Sequence, residues 1–138
     1  MMAELHELSI AEAGALLRAG ETSSVELTEA TLKRLEQTEP LVHAYTNVLA
    51  ERALEQAAAA DAELAAGTDL GPLHGIPIGV KDLLHTGGTP TEGGSRVLEG
   101  FVPERDAEVV TRLAAAGAVL VGKTVTHEFA YGQNVPPT

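Results

Sequence analysis

Lys81 closes the stretch Gly71-Pro-Leu-His-Gly-Ile-Pro-Ile-Gly-Val-Lys-Asp82, which starts with turn residues and becomes an apolar strand. Strand alternation predicts Ile76, Ile78 and Val80 on one face and Pro77, Gly79 and Lys81 on the other. A lysine stem lying over a proline and a glycine has room to run along the sheet. An amine delivered to the end of an apolar strand is a candidate for altered acidity, and so for work as a base. The same pattern also suits a snorkelling lysine, its stem on apolar surface and its head in water. Local pattern alone leaves both readings open, the snorkelling one being the commoner.

Three other groupings could carry chemistry. Gly117-Ala-Val-Leu-Val-Gly122-Lys123-Thr124 has the spacing of a phosphate-binding Walker A loop. That loop follows a strand and precedes a helix, whereas Ala-Val-Leu-Val reads as a strand with a helix before it. A nucleotide site through Gly117 to Thr124 is therefore the weaker alternative. His74, His85 and His127 lack the spacing of a metal site, and loop histidines making hydrogen bonds are the expectation. Ser95 follows Gly93-Gly94 but has no histidine at an informative position beside it. These glycines either let backbone approach a ligand closely or simply make a turn.

The elements that must hold these residues follow from caps and periodicity. Ser9 with Glu12, and Ser23 with Glu26, have capping-box spacing. The first helix predicts Ile10, Ala13, Leu16 and Leu17 inward and stops at Gly20; the second runs to about Gln37 with Val25, Leu32 and Leu35 inward, ended by Pro40. Leu41 to Val48 reads as loop or weak strand. Leu49 to Ala66 reads as an alanine-rich helix with Leu54, Ala57 and Leu64 as its stripe and Glu55, Asp61 and Glu63 in solvent. Nine of the fourteen glycines then fall between Gly67 and Gly100. The segment from His85 to Ser95 is too glycine-rich for a helix or a paired strand. Asp106 is placed to cap a helix holding Val109, Val110 and Leu113, and Ala118 to Val121 reads as a buried strand. Strand, loop, helix, strand is a βαβ unit of a covered parallel sheet. The tail from Glu128 to Thr138 offers no closing element.

Composition narrows the function. The chain has 138 residues, enough for one domain, with 1–66 helical and 67–138 opening an α/β core. Twenty acidic residues against nine basic ones give a net charge of −11, which argues against nucleic acid and anionic membrane as partners. Without cysteine there is no disulfide or thiolate chemistry. No basic leader and no long apolar run is visible, so a cytoplasmic location is expected.

Taken together, Gly75-Ile-Pro-Ile-Gly-Val-Lys81-Asp82, the threonine-rich glycine loop, Pro103 with Asp106-Ala107, Ala116-Gly-Ala118, and Gly122-Lys-Thr124 with His127-Glu-Phe-Ala130 resemble the amidase signature family. The blocks keep the family's order, and the resemblance covers the whole chain. It implies the N-terminal part of an α/β/α fold, helices followed by a βαβ unit of a mixed sheet, incomplete in these 138 residues. It also implies amide hydrolysis by a Ser–cis-Ser–Lys triad acting on a small-molecule amide, with no cofactor and no metal. Matched residue by residue, the catalytic lysine is Lys81. The block holding both serines has no match in this chain, and Ser95 corresponds to neither. Lys81 is thus expected to be accessible and the chain silent on its own. The run Thr124 to Tyr131, with Val125 where the family usually has Asn, looks more like general amidases than like the amidase-type component of glutaminyl-tRNA amidotransferase. The alternative is a self-associating fragment with an open sheet edge, or a polypeptide completed by a companion chain.

Overall fold

A computed structural model describes residues 4–132, so the end of the tail, 133–138, lies outside the described residues. Both capping boxes form: Ser9 and Ser23 accept from the amides of Glu12 and Glu26, whose carboxylates return to the serine amides at 2.8 and 2.9 Å. Helix α1 spans Ile10–Ala19 and α2 spans Ser24–Val42. Pro40 does not end α2, contrary to expectation. It sits in the last turn, where the one hydrogen bond its absent N–H would make to the Glu36 carbonyl is forgone, and the chain leaves the helix only at His43 (φ 46°). Ala13 and Leu17 of α1 and Leu27 of α2 pack with Ile76, whereas Ile10 is exposed.

Helix α3, Ala50–Ala65, buries Ala53, Ala57 and Ala60; Leu54 and Leu64 are only half-buried. Small side chains let the helix lie close on the sheet, so the alanines are the inward stripe. Two of its acids are not merely solvated either. Asp61 accepts the amides of Ser24 and Val25 at 2.6 and 3.1 Å, capping α2 from a neighbouring helix, and Glu63 reaches His74.

The sheet has three strands in the order β1-β3-β2: Tyr45–Val48, Val119–Thr124 and Pro77–Lys81. Leu41 to Val48 therefore yields a short edge strand, antiparallel to β3. Strands β2 and β3 run parallel and are joined through α4, Glu108–Ala115, which is the βαβ unit the sequence predicts. β3 is covered on both sides. Val119 and Val121 meet Ala53 and Ala57, while Leu120 packs with Val80 of β2 and Val110 of α4. Asp106 does not cap α4. Its carboxylate takes the Gly87 amide at 2.6 Å, and Ala107 stands at the N-cap. The register slips by one between Ile78 and Gly79, so Gly79 pairs with Gly122, Val80 with Lys123 and Lys81 with Thr124. Among the described residues no helix is long and apolar enough to cross a membrane.

Candidate functional site

Both parallel strands deliver a lysine at the C-terminal edge of the sheet, and they point to opposite faces. A Cβ built on Gly79 would stand 2.8 Å from the Tyr45 hydroxyl and 2.9 Å from Thr124 Cγ2, which fixes the side that Gly79 faces. Lys81, two residues on, shares that face. It is exposed, and among the described residues no carboxylate lies within ion-pair distance of it.

Lys123 follows Gly122 and turns to the other face, alongside Val80. It is fully buried. Its ammonium donates to the Leu84 carbonyl at 2.7 Å and to Thr91 Oγ1 at 2.8 Å, with Asp82 Oδ1 at 3.6 Å. Asp82 is itself 2 % exposed. Its second oxygen accepts the Glu92 amide at 3.2 Å, its carbonyl accepts the Gly93 amide at 2.8 Å, and its own amide donates to Thr124 at 2.8 Å. Lys123 and Asp82 together tie both limbs of the 83–95 loop to the strand ends. Burial sets the protonation of both: it pushes the Asp82 carboxyl up and the Lys123 amine down, each opposed by the other's charge.

The loop is a tie rather than a ligand cradle. Gly93 and Gly94 press on the chain's own backbone: the Phe129 amide donates to the Gly93 carbonyl at 2.8 Å, and a Cβ on Gly94 would stand 2.5 Å from the Thr126 carbonyl. Ser95 donates to Glu128 at 2.7 Å and accepts from the Val97 amide, so its hydroxyl is engaged in holding the loop. The three histidines are scattered. His74 is buried, with Nε2 2.9 Å from Glu63 and Nδ1 accepting the Leu70 amide at 3.1 Å; His85 lies against Phe101 with ring centroids 5.4 Å apart. The phosphate-loop reading of Gly117 to Thr124 falls here. Gly117 follows the end of α4, and Gly122-Lys123-Thr124 continues β3, its lysine sealed beneath the loop.

Gly79 also takes a different role from the one its place beside Lys81 suggests. The ring of Tyr45 lies across Gly122 and brings its hydroxyl over Gly79, so the two paired glycines clear space for an aromatic ring rather than for the lysine stem. Sequence reasoning gave Tyr45 and Asp82 no part at this sheet edge and read Lys123 only within a phosphate-loop spacing. Asp82 and Lys123 did carry a signal, as charges abutting apolar strand residues.

The family model described as Amidase matches residues 26–137. Among curated relatives, the A component of glutamyl-tRNA(Gln) amidotransferase from Chloroflexus aurantiacus is 50% identical over 133 residues, covering 96% of this chain and 27% of the relative. The protein of the same name from Nostoc punctiforme is 51% identical over 126 residues, 91% of this chain and 26% of the relative. Native peptide amidase from Stenotrophomonas maltophilia superimposes with a TM-score of 0.83 at 40% identity, over 89% of this chain and 26% of that one. The chain thus spans about a quarter of the length of these relatives. The curated relatives carry an amidotransferase name and the solved structure an amidase name.

Proposed function

The chain belongs to the Amidase family, and on that premise we propose that it supplies the base of a Ser–cis-Ser–Lys amide hydrolase, Lys81. The observation that carries this reading is the division between the two strand-end lysines. Lys123 is enclosed by Leu84, Thr91 and Asp82, which leaves Lys81 as the strand-end amine open to a reactant. It stands beyond the carboxyl end of a parallel strand, where α/β sheets place their ligands.

In the reaction, the neutral Lys81 amine takes the proton of a bridging serine. That serine takes the proton of the nucleophilic serine, whose oxygen attacks the amide carbonyl. Collapse of the tetrahedral adduct breaks the C–N bond, the proton returns along the same path to the departing amine, and water then cleaves the acyl-enzyme. A free lysine with pKa ~10.4 is neutral in only about one molecule in 2,500 at pH 7, so work as a base asks for burial that disfavours the charged form. The substrate class is a small-molecule amide, and no cofactor enters these steps.

Neither serine has a match among these 138 residues, so the chain by itself is catalytically silent. The assay is hydrolysis of simple amides by this chain and by Lys81→Ala. No turnover is expected from either, and turnover that Lys81→Ala abolishes would overturn the claim that the nucleophile lies elsewhere. A companion polypeptide bearing the serines is a second reading, favoured by a relative whose name designates one component of a complex. The outer edge of β2, left without a neighbouring strand among the described residues, suits strand addition.

A further inference from the structure

Tyr45, Thr124 and Lys81 form one lateral row across the three strands, each neighbouring pair being Cα partners. Tyr45 starts at the far side of that row, on β1. Its ring does not stand upright there. It leans over Gly122, with a Cβ on that glycine lying 2.8 Å from Cδ1 and 3.1 Å from Cε1, and ends with the hydroxyl over Gly79. The phenol is thereby carried across β3 onto β2, beside the position two residues along, which is Lys81.

Filling a glycine groove explains the ring and not the hydroxyl. A phenylalanine would cover Gly79 and Gly122 equally well, without bringing a polar atom onto a half-buried sheet face. Among the described residues the hydroxyl makes no hydrogen bond, while the Tyr45 amide is fixed by Glu39 at 2.7 Å. Burial, and then the charge of Glu39, raise the phenol above its ordinary value, so it stays protonated and can both donate and accept. The flexible four-carbon stem of Lys81 can bring its amine to this hydroxyl.

We infer that Tyr45 is a positioning residue for Lys81: its hydroxyl, held over Gly79 by the paired glycines and unpartnered among the described residues, is the group to which the lysine amine turns back, which directs it along the β2 face. The functional meaning rests on Lys81 being the base, but the contact itself does not. A phenol donating to the neutral amine occupies its lone pair and points it along the sheet, and to the ammonium the same oxygen is an acceptor.

The chain offers its own reference, because Lys33 is exposed on α2. The folded chain is acetylated at about pH 8 with limiting N-hydroxysuccinimidyl acetate, and the Lys81:Lys33 ratio is read by peptide mapping. In Tyr45→Phe the freed amine should raise that ratio roughly two- to tenfold, the worth of one hydrogen bond, with the circular dichroism unchanged. Gly79→Ala, whose methyl would displace the hydroxyl, should raise it likewise. A ratio that stays at the parent value or falls in a folded Tyr45→Phe overturns the inference. Loss of the catalytic reading would appear separately, as amide hydrolysis insensitive to Lys81→Ala, and would leave this ratio untouched.

Discussion

The two lysines at the carboxyl ends of β2 and β3 are adjacent in the sheet and opposite in circumstance. Lys81 leaves its strand toward an open face beside Tyr45 and Thr124; Lys123 leaves toward Leu84, Thr91 and Asp82 and is sealed there. One residue of strand parity separates an amine available for reaction from one committed to structure. The one-residue slip after Ile78 is what puts them on opposite faces, because it sets Gly122, rather than Val121, opposite Gly79, and so Thr124, rather than Lys123, opposite Lys81. A lysine motif in sequence thus says little until its face is known. Gly122-Lys123-Thr124 carries the more familiar signature, yet it holds the loop, whereas the lysine in the plainer strand faces outward.

Breaking the buried side should have the largest effect. Lys123→Met leaves Asp82 buried without its counter-charge and should cost about 3–5 kcal/mol in urea denaturation. Adding Asp82→Asn should recover much of that loss, since a neutral pair needs no compensation; a double variant as weak as the single would deny the coupling. Next comes the glycine floor. Gly122→Ala drives a methyl into the Asn47 carbonyl and the Tyr45 ring and should lose about 1–3 kcal/mol by the same measurement.

The pair should also be visible in the pH dependence of stability. The Asp82 carboxyl is raised in the folded state, so its contribution is complete below its ordinary value of 3.8 and fades as pH climbs through the raised value. The Lys123 amine is lowered, so folding sheds a proton there and stability grows from that lowered value toward 10.5. Denaturation across pH should show both slopes in the parent and neither in Asp82→Asn/Lys123→Met. The smallest effect belongs to the open side: Lys81→Ala should stay within about 0.5 kcal/mol of the parent, because its side chain is exposed and its inferred partner, Tyr45, is only half-buried.

Much of this arrangement is legible in the sequence, and the limits have physical causes. The capping boxes are local, and Ser9-Glu12 and Ser23-Glu26 form as their spacing requires. The βαβ unit follows from the apolar run before Gly122 and the helix ahead of it. What stays hidden depends on partners distant in the chain. Lys123 is held by residues 39 and 32 positions away, so its burial has no local signature. Asp61 looks like a solvated acid until α2 presents its free amides 36 and 37 positions back. Tyr45 lies in a four-residue edge strand whose pattern is too short to read, and its ring is placed by glycines from two other strands. In α3 the alanines take the inward stripe because backbone proximity, not side-chain size, sets the fit.

The most direct test of the division between the lysines is acylation of all three in the folded chain, resolved by residue. Lys33 and Lys81 should both be modified in the folded chain, while Lys123 stays protected until the chain opens in denaturant. Modification of Lys123 at the rate of Lys81 under folding conditions would contradict that division.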